Sequence, residues 1–298
     1  MKDFKNKNCF LTGAASGIGR SFALALAKEG MNLYISDINM ERLANVKKEI
    51  EKIGAKVIAV KCDVSKYEDF QNAADDFHSK LGDMDLLINN AGIAIGGGIE
   101  ELELEDWKEV LDVNLWSIIY SLKVFLPRML EKKSGHVVNV ASSAGLMGTS
   151  EPLPYVTSKF AVVGLSEALY GQLYNRGIRV SVVVPSYIKT NIFLDSKVKF
   201  SKKLLEDYSR EKLEQIYSEL VEEMTIKSKS PNRAVRKYIQ MIKDENLYVF
   251  EAASAIAILA SKTEPRKYEE FLVKFNKNFA NTRKERFLKY GINLDDYS

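Results

Sequence analysis

The chain has 298 residues, 46% apolar and 28% charged, enough to bury a sizeable core in a soluble globular fold. A formal net charge of +3 gives no reason to expect nucleic acid as a partner. Cys9 and Cys62 are the only cysteines, which excludes a disulfide scaffold and suits a reducing compartment; with no apolar signal core in "MKDFKNKNCF" and no spanning run near the C-terminus, the cytoplasm is the expected location.

In chain order, "NCFLT" (8–12) reads as a strand, then a Gly-rich turn and a helix stopped by Gly30. "NLYIS" (32–36) is the second strand, before a helix over 39–53. "KVIAVKC" (56–62) precedes a helix over 66–81, and "MDLLINN" (84–90) a long helix over 104–131. "HVVNVAS" (136–142) leads to a helix over 154–176, and "RVSVVVP" (179–185) is the sixth strand. These strands are apolar throughout rather than alternating, as in a sheet covered on both faces. The rhythm predicts an α/β fold: a doubly wound, Rossmann-type parallel sheet of about seven strands with helices on both faces. Beyond Pro185, 190–230 is helical in character, 231–244 is a further helix, "LYVF" (247–250) a seventh strand, and 251–290 helical again. With no repeat and no Pro/Gly-rich linker, one domain over 1–250 is expected, carrying 251–298 as a helical C-terminal extension.

"TGAASGIG" (12–19) puts Gly13, Gly17 and Gly19 between the first strand and its helix. A dinucleotide's pyrophosphate needs bare backbone at close range and the positive end of a helix, and this turn offers both. Asp37 ends the second strand, 18 residues beyond Gly19. There its carboxylate either accepts from the adenosine ribose hydroxyls or caps the next helix. It would repel a 2′-phosphate, and Ser16 and Ile38 supply no compensating cation, so NAD is favoured over NADP.

"YVTSK" (155–159) stacks Tyr155 and Lys159 on one helical face, but Tyr208 and Lys212 share that spacing. The surroundings separate the two pairs. Glycines spaced G-x-x-x-G-x-G, "NNAG" (89–92), Asn114, Ser142 and "YVTSK", in that order, resemble the short-chain dehydrogenase/reductase family, in its branch with a core of about 250 residues. The match runs in register from about residue 5 to 192.

That resemblance implies an oxidoreductase moving a hydride between a nicotinamide cofactor and a secondary alcohol or ketone. It makes Tyr155 the general acid/base. A free tyrosine has a pKa of about 10, and bringing it near 7 takes about 4 kcal/mol of preferential phenolate stabilisation. Lys159 is implied to lower that pKa and to hold the nicotinamide ribose, Ser142 to bond the substrate oxygen, and Asn114 to hold a water of a proton relay. Asn114 falls mid-helix in "DVNLWS", where a surface accident is the other reading. The same resemblance gives cofactor contacts to Gly13, Ser16, Gly17, Ile18, Gly19, Asp37, Asp63, Val64, Asn90, Ile188 and Thr190. One departure stands out: the family's usual Pro-Gly after the sixth strand is Pro185-Ser186 here. The segment 190–230 would close over the substrate with Ile192, Phe193, Leu194, Phe200, Leu204 and Leu205, which either meet a lipophilic substrate or simply pack the lid down.

Other readings are weaker. "GLSEA" (164–168) lacks the second glycine of a hydrolase's nucleophile elbow, and neither His78 nor His136 follows a late strand. No metal-ligand spacing occurs. A catalytically silent NAD-binding sensor or scaffold of the same fold is the non-enzyme alternative. Near the C-terminus, Tyr268, Phe271, Leu272, Phe275 and Phe279 form a helical stripe, which packs on the domain or a second subunit or touches a membrane. The family's two-fold pairing predicts a homodimer through the 104–131 and 154–176 helices. Phe160, Val163, Leu165, Leu169 and Leu173, with Trp107, Leu111, Trp116, Ile119 and Tyr120, are candidates for its apolar faces; a homotetramer depends on what 251–298 covers.

Overall fold

The structure, a computed structural model, describes residues 2–150, 152–190, 192, 195–226 and 228–297. The first half alternates β1 (Asn8–Thr12), α1 (Gly17–Lys28), β2 (Asn32–Asp37), α2 (Met40–Ile53), β3 (Val57–Lys61), α3 (Tyr67–Leu81) and β4 (Leu86–Asn89). A two-residue β5 (Ile95–Gly96) then precedes α4 (Leu104–Leu111), which runs through a π-helical turn (Asp112–Trp116) into α5 (Ser117–Lys132). Next come β6 (Gly135–Val140), α6 (Leu153–Leu173), β7 (Ile178–Val183), β8 (Lys197–Val198), α7 (Lys202–Asp207), α8 (Arg210–Thr225) and α9 (Pro231–Lys243). β9 (Tyr248–Val249), α10 (Ala253–Ser261) and α11 (Pro265–Leu288) complete the described strands and α-helices, and a short 3-10 turn (Leu294–Tyr297) follows.

The sheet order is β3-β2-β1-β4-β6-β7-β9, parallel throughout, so all seven expected strands form one Rossmann-type sheet. The chain moves outward from β1 to β3, then returns to β4 on β1's other side. At that reversal the loops after β1 and β4 diverge and open a crevice at the strands' C-terminal ends.

Alternation along the strands divides the core. Leu11, Leu33, Ile35 and Val138 face α1, α2 and α9. Phe10, Tyr34, Leu87, Val137 and Val180 face α3, α5 and α6. Phe10 lies within 4.7 to 6.4 Å, ring centre to ring centre, of Tyr34, Phe70, Phe77 and Phe125. Burying a side chain of this size contributes about 1.5–3 kcal/mol. By length and composition the Leu104–Lys132 helix could cross a membrane, but here it forms part of this second helical layer, contacting α3 and α6.

Several expectations need correcting. The described residues of 190–201 are not helical: Lys197 and Val198 pair with Ile95 and Gly96, and helix begins only where the Ser201 and Ser209 hydroxyls accept from Leu204 N and Lys212 N. Phe200 and Leu204 pack the segment down: with partly buried Leu205 they join Leu213, Ile216, Phe287 and Ile292 as a separate small core and do not line the large cavity. Phe193 and Leu194 lie outside the described residues. Tyr208, of the second Tyr/Lys pair, is half-buried against that same core, with Tyr297 at 6.1 Å between ring centres. Of the apolar residues assigned to a dimer face, Val163, Leu169 and Leu173 are buried in the chain's own core. Phe160 and Trp116 remain exposed.

Candidate active site

The turn after β1 fits a group that needs bare backbone. Gly13 has φ +64°, and a Cβ there would meet Ala91 Cα at 2.8 Å; one on Gly19 would sit 2.0 Å from the Gly13 carbonyl oxygen. Thr12 Oγ1 accepts from Asn90 N and Ala91 N (3.0 and 3.1 Å), which ties β1's end to β4's. Ser16 is the N-cap of α1 without a side-chain capping bond, and Ser16, Gly17, Ile18 and Gly19 line one cavity at the helix's positive end. Asn90 lines the same cavity, yet its side-chain amide donates to Thr12 O and Gly13 O, both at 3.0 Å. It braces the glycine turn.

Asp37 also faces this cavity. Its two oxygens accept from Ala15 N (3.0 Å) and Asn39 N (2.9 Å), while Asn39, not Asp37, caps α2 through Arg42 N. The capping alternative for Asp37 is therefore wrong. Asp63 and Val64 form the next stretch of wall. Burial pushes the Asp63 carboxyl up, but two hydrogen bonds from Ser65 and the Lys66 ammonium hold it below its ordinary range. Ile188 and Thr190 line the cavity too, and Thr190 approaches the space over Gly17. Arg42 escaped the sequence reading. It lines the cavity and pairs with Asp195 at 3.4 Å, whereas Arg20 is turned to Glu49 on α2.

At the other end Tyr155, Lys159 and Ser142 meet, all lining the cavity. The π-helical turn buries Asn114 beside them, which removes the surface-accident reading: it is 1% exposed. Its Oδ1 accepts from Ile93 N (2.9 Å), and its Nδ2 donates to Ile93 O (3.0 Å) and Ser158 Oγ (2.9 Å). A Cβ on Gly92 would lie 3.3 Å from Asn114 Oδ1 and 3.4 Å from Lys159 Nζ, so that glycine leaves the two groups close to one backbone point. Lys159 Nζ donates to Val140 O at 3.0 Å and sits 5.4 Å from the Tyr155 ring centre. Burial lowers the Lys159 pKa to about 8. Burial also raises the Tyr155 phenol above its ordinary value, and its hydrogen bond with Ser142 opposes that only in part. Within the chain itself, burial is the larger influence on the Tyr155 phenol and outweighs the lowering by Ser142.

Ser186, the departure from Pro-Gly, has a partner of its own. Its N–H and hydroxyl donate to the carboxylate of Glu251, which is 4% exposed and also accepts from Tyr238 OH. A sequence reading could have looked for a buried acid to match that serine. The cavity, of about 1300 Å³, extends past the catalytic group to Tyr187, Ile192, Leu220, Ile258 and three phenylalanines of α11, members of the helical stripe visible in the sequence. Among the described residues no cluster of His, Cys, Asp and Glu suits a metal ion.

The short chain dehydrogenase family model matches residues 7–199. A cyclohexanol dehydrogenase of Acinetobacter sp. (strain SE19) is 41% identical over 194 residues, 64% of this chain and 77% of that protein. A CLA biosynthesis dehydrogenase/reductase of Lactiplantibacillus plantarum is 40% identical over 65% of this chain and 68% of its own length. Among solved structures, a short chain dehydrogenase/reductase from Burkholderia phymatum, in complex with NAD, superposes with a TM-score of 0.78 at 29% identity, covering 90% of this chain and 97% of that one.

Proposed function

The chain belongs to the short-chain dehydrogenase family and is a nicotinamide-dependent oxidoreductase of alcohols and ketones; we propose that Tyr155 is its proton-transfer residue and NAD its preferred cofactor. The observation that carries this reading is a buried phenol in the cavity wall, bonded to Ser142, with an ammonium 5.4 Å from its ring centre.

A bound nicotinamide dinucleotide supplies the hydride donor or acceptor. Ser142 Oγ orients the substrate oxygen toward Tyr155, which gives its proton to that oxygen in reduction and takes it back in oxidation. Lys159, charged below about pH 8, stabilises the phenolate left after proton donation. Asn114 keeps the Ile93 backbone and Ser158 fixed beside it. The glycine turn and α1's N-terminus would hold the pyrophosphate; Asp37, Asp63 and Val64 the adenosine; Ile188 and Thr190 the nicotinamide end.

NAD is favoured by the Asp37 carboxylate, which a 2′-phosphate would have to approach, and by Arg20's engagement with Glu49. Residues 251–298 read as part of the same unit, since Ala255 joins the main core and Phe287 the small one. Exposed Trp116 and Phe160 support at least a homodimer, although Lys262 of the same chain sits 4.8 Å from the Phe160 ring centre. The buried free thiols of Cys9 and Cys62 suit the cytoplasm. Steady-state oxidation of secondary alcohols with NAD and with NADP tests the proposal; no turnover with either would refute it.

A further inference from the structure

We propose that the substrate carries an extended, uncharged hydrocarbon substituent, and that an aromatic stripe on α11 holds it. This rests on the oxidoreductase reading above and adds the substrate class.

α11 lies beyond the family match and spans about 36 Å at 1.5 Å per residue, from its 24 residues. It is fastened at two places. Near one end Tyr268 OH donates to Leu146 O (3.4 Å), Asn276 Nδ2 to Gly148 O (3.4 Å), and Ser150 N to Asn276 Oδ1 (2.6 Å). These acceptors and donors belong to the loop that follows catalytic Ser142. At the other end Arg286 pairs with Glu219 and Glu223, and Tyr290 OH donates to Glu219, all on α8. Phe271 and Phe275, between Tyr268 and Asn276, and Phe279, between Asn276 and Arg286, lie four residues apart on one helical face and line the cavity. Leu220 and Val221 of α8 and Ile258 of α10 line it as well.

Charge is distributed unevenly around this space. Among the described lining residues, α8, α10 and α11 contribute no charged side chain; Asp37, Arg42, Asp63, Glu105, Lys108, Glu109, Asp112, Lys159 and Asp195 come from elsewhere. A carboxylate or ammonium on the substrate would find no opposite charge on these three helices, only the hydroxyl residues Tyr217, Thr225, Ser254 and Ser261, which is costly, whereas a hydrocarbon gains by leaving water. At about 1300 Å³ the cavity exceeds the roughly 300–1,000 Å³ of an ordinary small-molecule site. That leaves room for a long substituent as well as the dinucleotide.

The test is a series of 2-alkanols from 2-butanol to 2-decanol, with calorimetric binding of the matching 2-alkanones in parallel. A buried methylene is worth up to about fourfold, so kcat/KM and affinity should climb with each added carbon, by more than about tenfold over the series. In Phe275→Gln, and independently in Phe279→Gln, the ratio of kcat/KM for 2-decanol to that for 2-butanol should fall at least about tenfold. Turnover of 2-butanol with no rise toward 2-decanol would overturn the hydrocarbon assignment and leave the oxidoreductase reading standing. Absence of turnover with ketone affinity that still rises would do the reverse, and flat affinity without turnover would sink both. An unchanged ratio in folded variants would overturn the role of α11, as would a wild-type series with no chain-length dependence should neither variant fold.

Discussion

Lys159 Nζ lies 5.4 Å from the centre of the Tyr155 ring, and both residues are buried, so the cation and the phenol share one poorly solvated space. Burial brings the ammonium's pKa down to about 8, and it is charged below that value and neutral above it. Ketone reduction needs Tyr155 protonated and Lys159 charged to receive the developing phenolate. The pH profile of kcat/KM for reduction should therefore be level below about pH 8 and fall above it, by up to about tenfold per unit. Lys159→Arg, which keeps a charge throughout, should remove that limb from whatever activity it retains. A wild-type profile level to pH 10 would detach the ammonium from catalysis.

Glu251 should matter more to stability than Ser186, its partner across the chain. Glu251→Ala leaves the Ser186 N–H and hydroxyl and the Tyr238 hydroxyl without their acceptor, at a cost of about 2–4 kcal/mol. Ser186→Gly removes one donor only and leaves the Tyr238 bond, so it should cost about 1 kcal/mol. Urea midpoints for the two variants check the order; equal losses would mean that the carboxylate does not organise this corner.

His136 provides an acid-sensitive element. Burial, foremost, lowers its pKa from 6.5 to about 3 in the folded chain. Between these values the unfolded chain binds more protons, so stability rises with pH there and is lost as pH falls from about 6.5 toward 3. The slope reaches at most about 1.4 kcal/mol per pH unit, or about 2 kcal/mol from pH 6.5 to 5. His136→Leu also loses the 2.8 Å bond to Ser181, so it should be less stable at pH 7 but flatter in that interval. Parallel pH dependences for the two proteins would remove His136 as the source.

Cofactor choice should turn on Asp37. Replacing it with Ser and Ile38 with Arg removes the repulsion and supplies a phosphate partner at the cavity edge where Asp37 and Ile38 both lie. The ratio of kcat/KM for NADP to that for NAD should rise at least about tenfold, the equivalent of one modest charge interaction. A wild-type preference for NADP would contradict the assignment outright.

What could be read in the sequence was whatever chemistry sits in short, contiguous motifs. The glycine turn needs three residues of one type within seven positions, and Tyr155 and Lys159 need only one helical turn; both ended in the cavity wall. The seven strands were legible because a buried parallel strand is apolar along its whole length. Features built from distant partners were not. Tyr268 meets Leu146 and Asn276 meets Ser150 across more than 120 residues, so the stripe on α11 could be seen but not what it faces. For the same reason Phe200 and Leu204 could not be assigned to a second small core whose other members include Phe287 and Ile292. The π-helical turn that buries Asn114 carries no residue pattern of its own, and helix propensity alone favoured a surface position.

The most direct test removes one oxygen atom. Tyr155→Phe keeps the ring that packs in the cavity wall and deletes the only group assigned to move a proton to or from the substrate. With the same secondary alcohol and saturating dinucleotide, kcat should fall about a hundred- to ten-thousandfold while the dinucleotide dissociation constant changes by less than about twofold. A kcat close to that of the wild type, with dinucleotide binding intact, would contradict the assignment of Tyr155.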